Sequence, residues 1–188
     1  MHELKLKKSF DKYFDAPIEV WKSFTELCEE VKFKKNEIIK ATGTTEKFAY
    51  FILDGACGVF LWKENSYVCL DIVLENNFFA DHMSLITNQP SQLETMTLEK
   101  TTTLRISASN ISKLKKSPIG NIIFLLGAEN SFVEKQQQQI DLLTKTAEQR
   151  YLELQNKNSR IIQRISQKHI ASYLGITTQS LSRIRNKK

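Results

Sequence analysis

The chain has 188 residues, 41% of them hydrophobic, and 27 Lys or Arg against 21 Asp or Glu, a formal net charge of +6. This is enough apolar material for one large and one small domain, and no run approaches the ~20 apolar residues needed to cross a bilayer. The charged start Met1-His-Glu-Leu-Lys5 lacks the apolar segment of a signal peptide, and Cys28, Cys57 and Cys69 lack metal-ligand spacing, so a cytoplasmic protein without metal or cofactor is expected.

Residues 3–30 place Phe10, Phe14, Val20, Trp21, Phe24 and Leu27 at helix-like intervals, which predicts two short amphipathic helices broken near Pro17. From Val31 to about Ile106 the text changes character. Phe48–Leu53, Gly58–Trp62 and Tyr67–Val73 are rich in aromatic and β-branched residues. Turn chemistry separates such runs at Lys35-Asn36, Thr42-Gly43-Thr44, Asp54-Gly55, Glu64-Asn65 and Asn76-Asn77. Short strands so spaced predict an antiparallel roll or sandwich rather than β-α units. Ser117 followed by Pro118 is a favourable helix start. In the long helix that follows, Ile119, Leu126, Val133 and Ile140 recur every seven residues, and Ile122 begins a half-apolar companion row through Glu129, Gln136 and Leu143. That seam can pair with its own copy or pack on the β domain.

The last 35 residues, Leu154–Lys188, contain no acid and eight cations: Lys157, Arg160, Arg164, Lys168, Arg183, Arg185, Lys187 and Lys188. Residues 1–153 therefore sum to −2 and the tail to +8, an asymmetry that points to a polyanionic partner. Apolar spacing sharpens the reading. Ile170, Ala171 and Leu174 share one face of a short helix, Gly175 suits a left-handed helix end, and Thr177 or Thr178 can cap a second helix whose inner face is Leu181 and Ile184. This is the spacing of a helix-turn-helix. Its polar face shows Thr178, Gln179, Ser180, Ser182, Arg183 and Arg185, side chains suited to base edges and phosphates.

In this order of elements the chain resembles the Crp/Fnr family of bacterial transcription regulators. The resemblance rests on Ala147-Glu-Gln-Arg-Tyr-Leu152, Ile170-Ala-Ser-Tyr-Leu-Gly-Ile176 and Leu181-Ser-Arg-Ile-Arg185, with Ile52-Leu-Asp-Gly55 and Phe78-Phe-Ala-Asp-His82 in the β region. It implies an α+β fold: an N-terminal antiparallel β-roll (a double-stranded β-helix) with flanking helices, a long dimerisation helix and a small C-terminal helix-turn-helix domain. The implied boundaries are 1–116 for the sensor roll, 117–145 for the dimerisation helix and 146–188 for the DNA-binding domain. Ile119, Ile122, Leu126, Val133 and Ile140 would form the dimer seam.

The resemblance also shows where this chain departs. A cyclic-nucleotide cassette of the family carries a Gly-Glu pair for the ribose and an Arg-Ser or Arg-Ala pair after a Pro for the phosphate. Here those places hold Ala80-Asp81 and, after Pro90, Ser91-Gln92. A missing Arg costs the phosphate a charge-assisted partner worth about 1.5–3 kcal/mol, so cyclic AMP or GMP is not the expected ligand. Any effector pocket would be built from Phe79, Ala80, Asp81, His82, Ser91 and Gln92. His82 is the sole candidate for an axial haem ligand, and Cys28 alone does not make a cysteine cluster.

At the DNA end, Thr178, Gln179 and Arg183 align with the family's base-reading positions. Gln pairs best with adenine and Arg with guanine. Lys168, Ser180, Ser182, Arg185 and Lys187, with Lys188, are candidates for phosphate contact. Family members commonly continue into a β wing, and with the text ending at Lys188 weaker binding is expected. The expected partners are double-stranded DNA, a second copy of the chain and, as a further candidate, RNA polymerase. Two other classes stand beside this one: an effector-binding or protein-interaction module without specific DNA reading, and a cupin-like metalloenzyme. The second needs two or three convergent His, yet of His2, His82 and His169 only His82 lies in the β region. No Ser/His/Asp set, phosphate loop or paired-carboxylate motif is legible, and no catalysis is expected.

Overall fold

A computed structural model describes residues 1–63 and 66–187; the Glu64-Asn65 turn and Lys188 lie outside the described residues. Helices α1 (His2–Phe10) and α2 (Ile18–Glu26) flank Pro17, which is the residue before the first turn of α2 and cannot continue α1. Among the described residues eight strands follow: β1 (Cys28–Phe33), β2 (Ile38–Lys40), β3 (Phe48–Asp54), β4 (Ala56–Lys63), β5 (Ser66–Leu74), β6 (Phe78–Phe79), β7 (Leu93–Thr97) and β8 (Thr101–Ser107). Between β6 and β7 runs α3 (His82–Thr87), and after β8 comes α4 (Ala108–Leu114). Among the described residues the strands form two antiparallel sheets, ordered β1-β8-β3-β6 and β2-β7-β4-β5.

Period-two alternation in β3 explains why a strand of this composition is buried on both faces. Ala49, Phe51 and Leu53 point outward into a cluster with Leu6, Trp21, Phe24, Leu104 and Ile123, so the N-terminal helices cover the first sheet. Tyr50 and Ile52 point the other way, toward Cys57 of the second sheet and Phe79. The far face of the second sheet carries Ala56, Phe60, Cys69, Ile72 and Leu74, and it is covered by the C-terminal helices. Cys69 and Ile72 share that face despite their odd separation. The register steps between Val59↔Asp71 and Phe60↔Cys69, so Leu70 is an extra residue that resets the alternation. Gly55 makes the β3–β4 turn at φ +99°, and a Cβ there would sit 2.5 Å from the Thr101 hydroxyl and 2.6 Å from the Lys100 carbonyl. Asn36, Gly43 and Asn76 supply the other left-handed turn positions that the sequence marked in the β region.

The long helix α5 (Pro118–Thr144) begins as its spelling predicts, with the Ser117 side chain accepting from the Gly120 amide and Pro118 in the first turn. Its 27 residues extend about 40 Å. Its buried residues, Gly120 and Ile123, lie in its first turns. Farther along, Lys135 reaches Asp71 at 2.6 Å and Gln138 donates to the Leu70 carbonyl at 3.1 Å, so the extra residue of β5 meets this helix. Four short helices complete the described residues: α6 (Ala147–Lys157), α7 (Ser159–Arg164), α8 (Gln167–Tyr173) and α9 (Thr178–Asn186). The α6 start is a capping box, in which Thr146 and Gln149 satisfy each other's amides.

Candidate nucleic-acid interface

The α8–α9 unit is built by the residues whose spacing announced it. Ser166 caps α8, and Gly175 turns the chain at φ +68°. Thr177 caps α9 by accepting from the Ser180 amide. Ile170, Ala171, Leu174 and Leu181 are almost wholly buried, with Ile176 and Ile184 packed at their edge. This arrangement seats α9 by one face and leaves the other in solvent. Thr178, Gln179, Ser182, Arg183, Arg185 and Lys187 are exposed. Ser180 is half-buried, its hydroxyl within 3.0 Å of Thr177 Oγ1. Thr178 donates to Gln179 Oε1 at 3.3 Å, an exposed contact that orients the glutamine.

Charge on this surface is distributed unevenly. Arg183 and Arg185 form no ion pair among the described residues, whereas Lys187 meets Glu148 at 3.0 Å in an exposed pair that a phosphate can displace. Lys168 lies on a neighbouring face with its ammonium 4.9 Å from the Tyr67 ring centre.

Arg160 and Arg164 belong elsewhere. The sequence counts them among the eight cations of the acid-free tail, but both fold back onto the β-roll. Arg160 meets Glu75 at 2.6 Å. Arg164 forks onto the same carboxylate at 2.7 and 3.0 Å and also pairs with Glu99. These carboxylates lie 65 to 89 residues away, a separation that local pattern does not bridge.

The C-terminal helices are fastened at three further points. Ser172 of α8 accepts from the Cys69 amide at 2.8 Å and donates to the Tyr67 carbonyl at 3.2 Å, satisfying backbone groups of the edge strand β5. Tyr67 and His169 are bonded at 2.9 Å through the phenol oxygen and Nδ1. Burial, then the nearby Lys168 and Lys35 ammonium groups, lower the His169 pKa and favour its neutral form. Arg150, from the most family-like text, donates to the Lys145 carbonyl at 2.5 Å and the Leu174 carbonyl at 2.8 Å, tying the end of α8 to the end of α5. A cleft of about 320 Å³ remains between Trp62 and Tyr67 on the roll and Lys168, Ile176 and Thr178.

Acid should loosen this clasp. Burial opposes ionisation of Glu75, but the hydrogen bonds from Arg164 and from backbone amides outweigh it and bring the pKa from 4.5 to about 2. A depressed folded-state pKa means the stabilisation is complete above pH 4.5 and is lost as pH falls toward about 2. Because the Arg160 and Arg164 side chains are 54% and 25% exposed, solvent screening holds the scale to about 1–2 kcal/mol. Urea titrations between pH 6 and pH 2.5 are expected to show this loss in the wild type and a smaller one in Glu75→Gln; equal pH dependence in both would count against it.

The cassette residues come together in a different way. Phe79 is buried and stacks on Tyr50 with ring centres 5.0 Å apart, and Ala80 lies in the outer core. Asp81 caps α3, accepting from the Ser84 amide at 3.1 Å. Ser91 is buried beside Asp81, whereas His82 and Gln92 are exposed. A residue that the sequence did not single out, Lys40 of β2, joins Asp81 and Ser91. On α5, Ile119 packs partly buried against the outer core and Leu126 is half-buried, while Ile122, Val133 and Ile140 are exposed. Leu125, Phe132 and Leu143 extend that exposed apolar face.

Comparison with known proteins agrees with this architecture. Residues 30–117 match the cyclic nucleotide-binding domain family. No curated protein matches the chain in sequence. Among solved structures the chain is similar to FixK2 from Bradyrhizobium japonicum, at 18% identity over 85% of this chain and 83% of that one, with a TM-score of 0.70. It is similar to CLP, a c-di-GMP responsive global regulator from Xanthomonas campestris, at 13% identity over 91% of both chains, also with a TM-score of 0.70. A CooA mutant from Carboxydothermus hydrogenoformans matches at 16% identity over 97% of this chain and 83% of its own, with a TM-score of 0.69. The fold is therefore that of a cyclic-nucleotide-binding-type β-roll joined to a long helix and C-terminal helices. The likeness to FixK2, CLP and CooA is one of fold.

Proposed function

We propose that the chain is a homodimeric, sequence-specific DNA-binding transcription regulator whose β-roll does not bind cyclic AMP or GMP. The observation that carries this is α9: a helix seated by Leu181 and Ile184 whose opposite face presents Thr178, Gln179 and Arg183 to solvent. Residues 146–188 form the DNA-binding part, 117–145 the dimerisation helix and 1–116 the sensor roll. Two copies of α5 pair through the exposed face around Ile122, Leu125, Phe132, Val133 and Ile140. This sets two α9 helices into successive major grooves roughly 34 Å apart. Binding, not catalysis, is the activity.

Gln179 reads adenine and Arg183 guanine, while Lys168, Ser180, Ser182, Arg185 and Lys187 hold phosphate. Selection from random duplexes followed by shift assays tests the reading. A two-fold-related consensus is expected. Arg183→Ala should cost about 1–3 kcal/mol and relax preference at one base pair of each half-site. An unchanged consensus and affinity would instead favour a module of this fold that contacts another acidic partner.

A further inference from the structure

Lys40, Asp81 and Ser91 come from β2, the cap of α3 and the segment before β7, yet they form one closed cluster. The Lys40 and Asp81 side chains are 3% and 0% exposed. The Lys40 ammonium has three protons and three acceptors: Asp81 Oδ2 at 2.9 Å, Ser91 Oγ at 2.8 Å and the Leu93 carbonyl at 2.7 Å. Asp81 Oδ2 also accepts a hydrogen bond from the Ser91 hydroxyl, and Oδ1 accepts one from the Ser84 amide. Ser91 Oγ in turn accepts from the Leu93 amide at 3.1 Å. Ser84 accepts from the Glu46 amide at 2.9 Å and donates to the Gln89 carbonyl at 2.5 Å. A lone ammonium in this interior would not be tolerated; the facing carboxylate makes it so.

We propose that Lys40 is the permanent occupant of this cassette, an internal ligand that does the work of a bound effector. Asp81 and Ser91 stand where the sequence resemblance places the sugar- and phosphate-binding residues, and here the lysine satisfies both. It joins the start of α3 to β7 through Leu93. Leu93 and Glu94 pair with Leu61 and Phe60 of β4, and the Phe60 ring lies 5.4 Å from the His169 ring of α8. One cation thus ties the cassette to the strand on which the C-terminal helices rest. Resting on the DNA-binding reading, the consequence is that operator binding needs no small molecule at this site.

Thermal unfolding of the full chain tests the occupancy without reference to DNA. Lys40→Ala deletes the equivalent of a propylammonium ion and leaves Asp81 buried and unpaired. Its Tm should fall by roughly 10 °C. Propylammonium chloride at tens of millimolar should restore part of the loss, and n-propanol should not. Lys40→Met, which keeps the volume, should lose a similar amount and serves if the alanine variant does not fold. The wild-type Tm should not move with millimolar cyclic AMP, cyclic GMP or c-di-GMP. A nucleotide-induced rise, a Lys40→Met variant as stable as wild type, or equal rescue by amine and alcohol would each overturn the proposal. A wild type that binds no DNA, with the amine rescue intact, would sink the DNA reading and leave the internal ligand standing.

Discussion

Between 50 and 200 mM salt, affinity for a cognate duplex should fall about 10³-fold. The expectation follows from which cations are free or held only in an exposed pair that phosphate can displace, as Lys187 is by Glu148. Lys168, Arg185 and Lys187 are exposed and disposed around α9, so a dimer brings about six of them to phosphate, for a slope of log K against log salt near −5. Arg160 and Arg164 are left out because Glu75 and Glu99 already hold them. Counting them would give about ten contacts and a slope near −9. Equilibrium shift or anisotropy titrations at five or six salt concentrations separate the two. A slope near −9 would show that both arginines leave their glutamates on binding, and a slope near zero would remove phosphate contact altogether.

Leu181→Ala should destabilise the whole chain by about 2–5 kcal/mol, a fall in Tm of roughly 5–15 °C. Leu181 is 0% exposed at the centre of the α8–α9 core. That core is continuous with the second sheet: Ala56, Phe60, Cys69, Ile72 and Leu74 belong to the same cluster as Ile161, Ile165, Ile170 and Leu174. A cavity at Leu181 is therefore felt by the roll, and calorimetry should show one transition moving to lower temperature, with DNA affinity lost in parallel. Two resolved transitions, of which only the smaller moves, would show instead that the C-terminal helices fold as an independent unit.

Local features were legible in the text where a single residue type meets a single backbone need. Gly175 and Gly55 occupy left-handed turns, Ser117 and Thr177 cap their helices, and the aromatic-rich run Phe48–Leu53 is a strand. Ile170, Leu174, Leu181 and Ile184 lie on the buried side at helical spacing. Some signals were equivocal for a physical reason. The seven-residue row on α5 mixes Ile119, which packs on the roll, with Val133 and Ile140, which face solvent, because a straight helix drifts against a strict heptad. Phe132, which no heptad row singled out, is 67% exposed on the same helix.

Other features had no local signature. Lys40 reads as one lysine after two isoleucines, and its role depends on Asp81 and Ser91, 41 and 51 residues away. Glu75 reads as a turn residue, and only its position opposite α7 makes it the anchor of Arg160 and Arg164. By itself the sequence determined the elements, their order and the polar face of α9, because caps, turns and hydrophobic period act over a few residues. Tertiary structure alone decided which charges are free for a partner and which are consumed within the chain. Ion pairing depends on distance in space, and β5, α7 and the cassette meet only when the two sheets and the C-terminal helices close on one another.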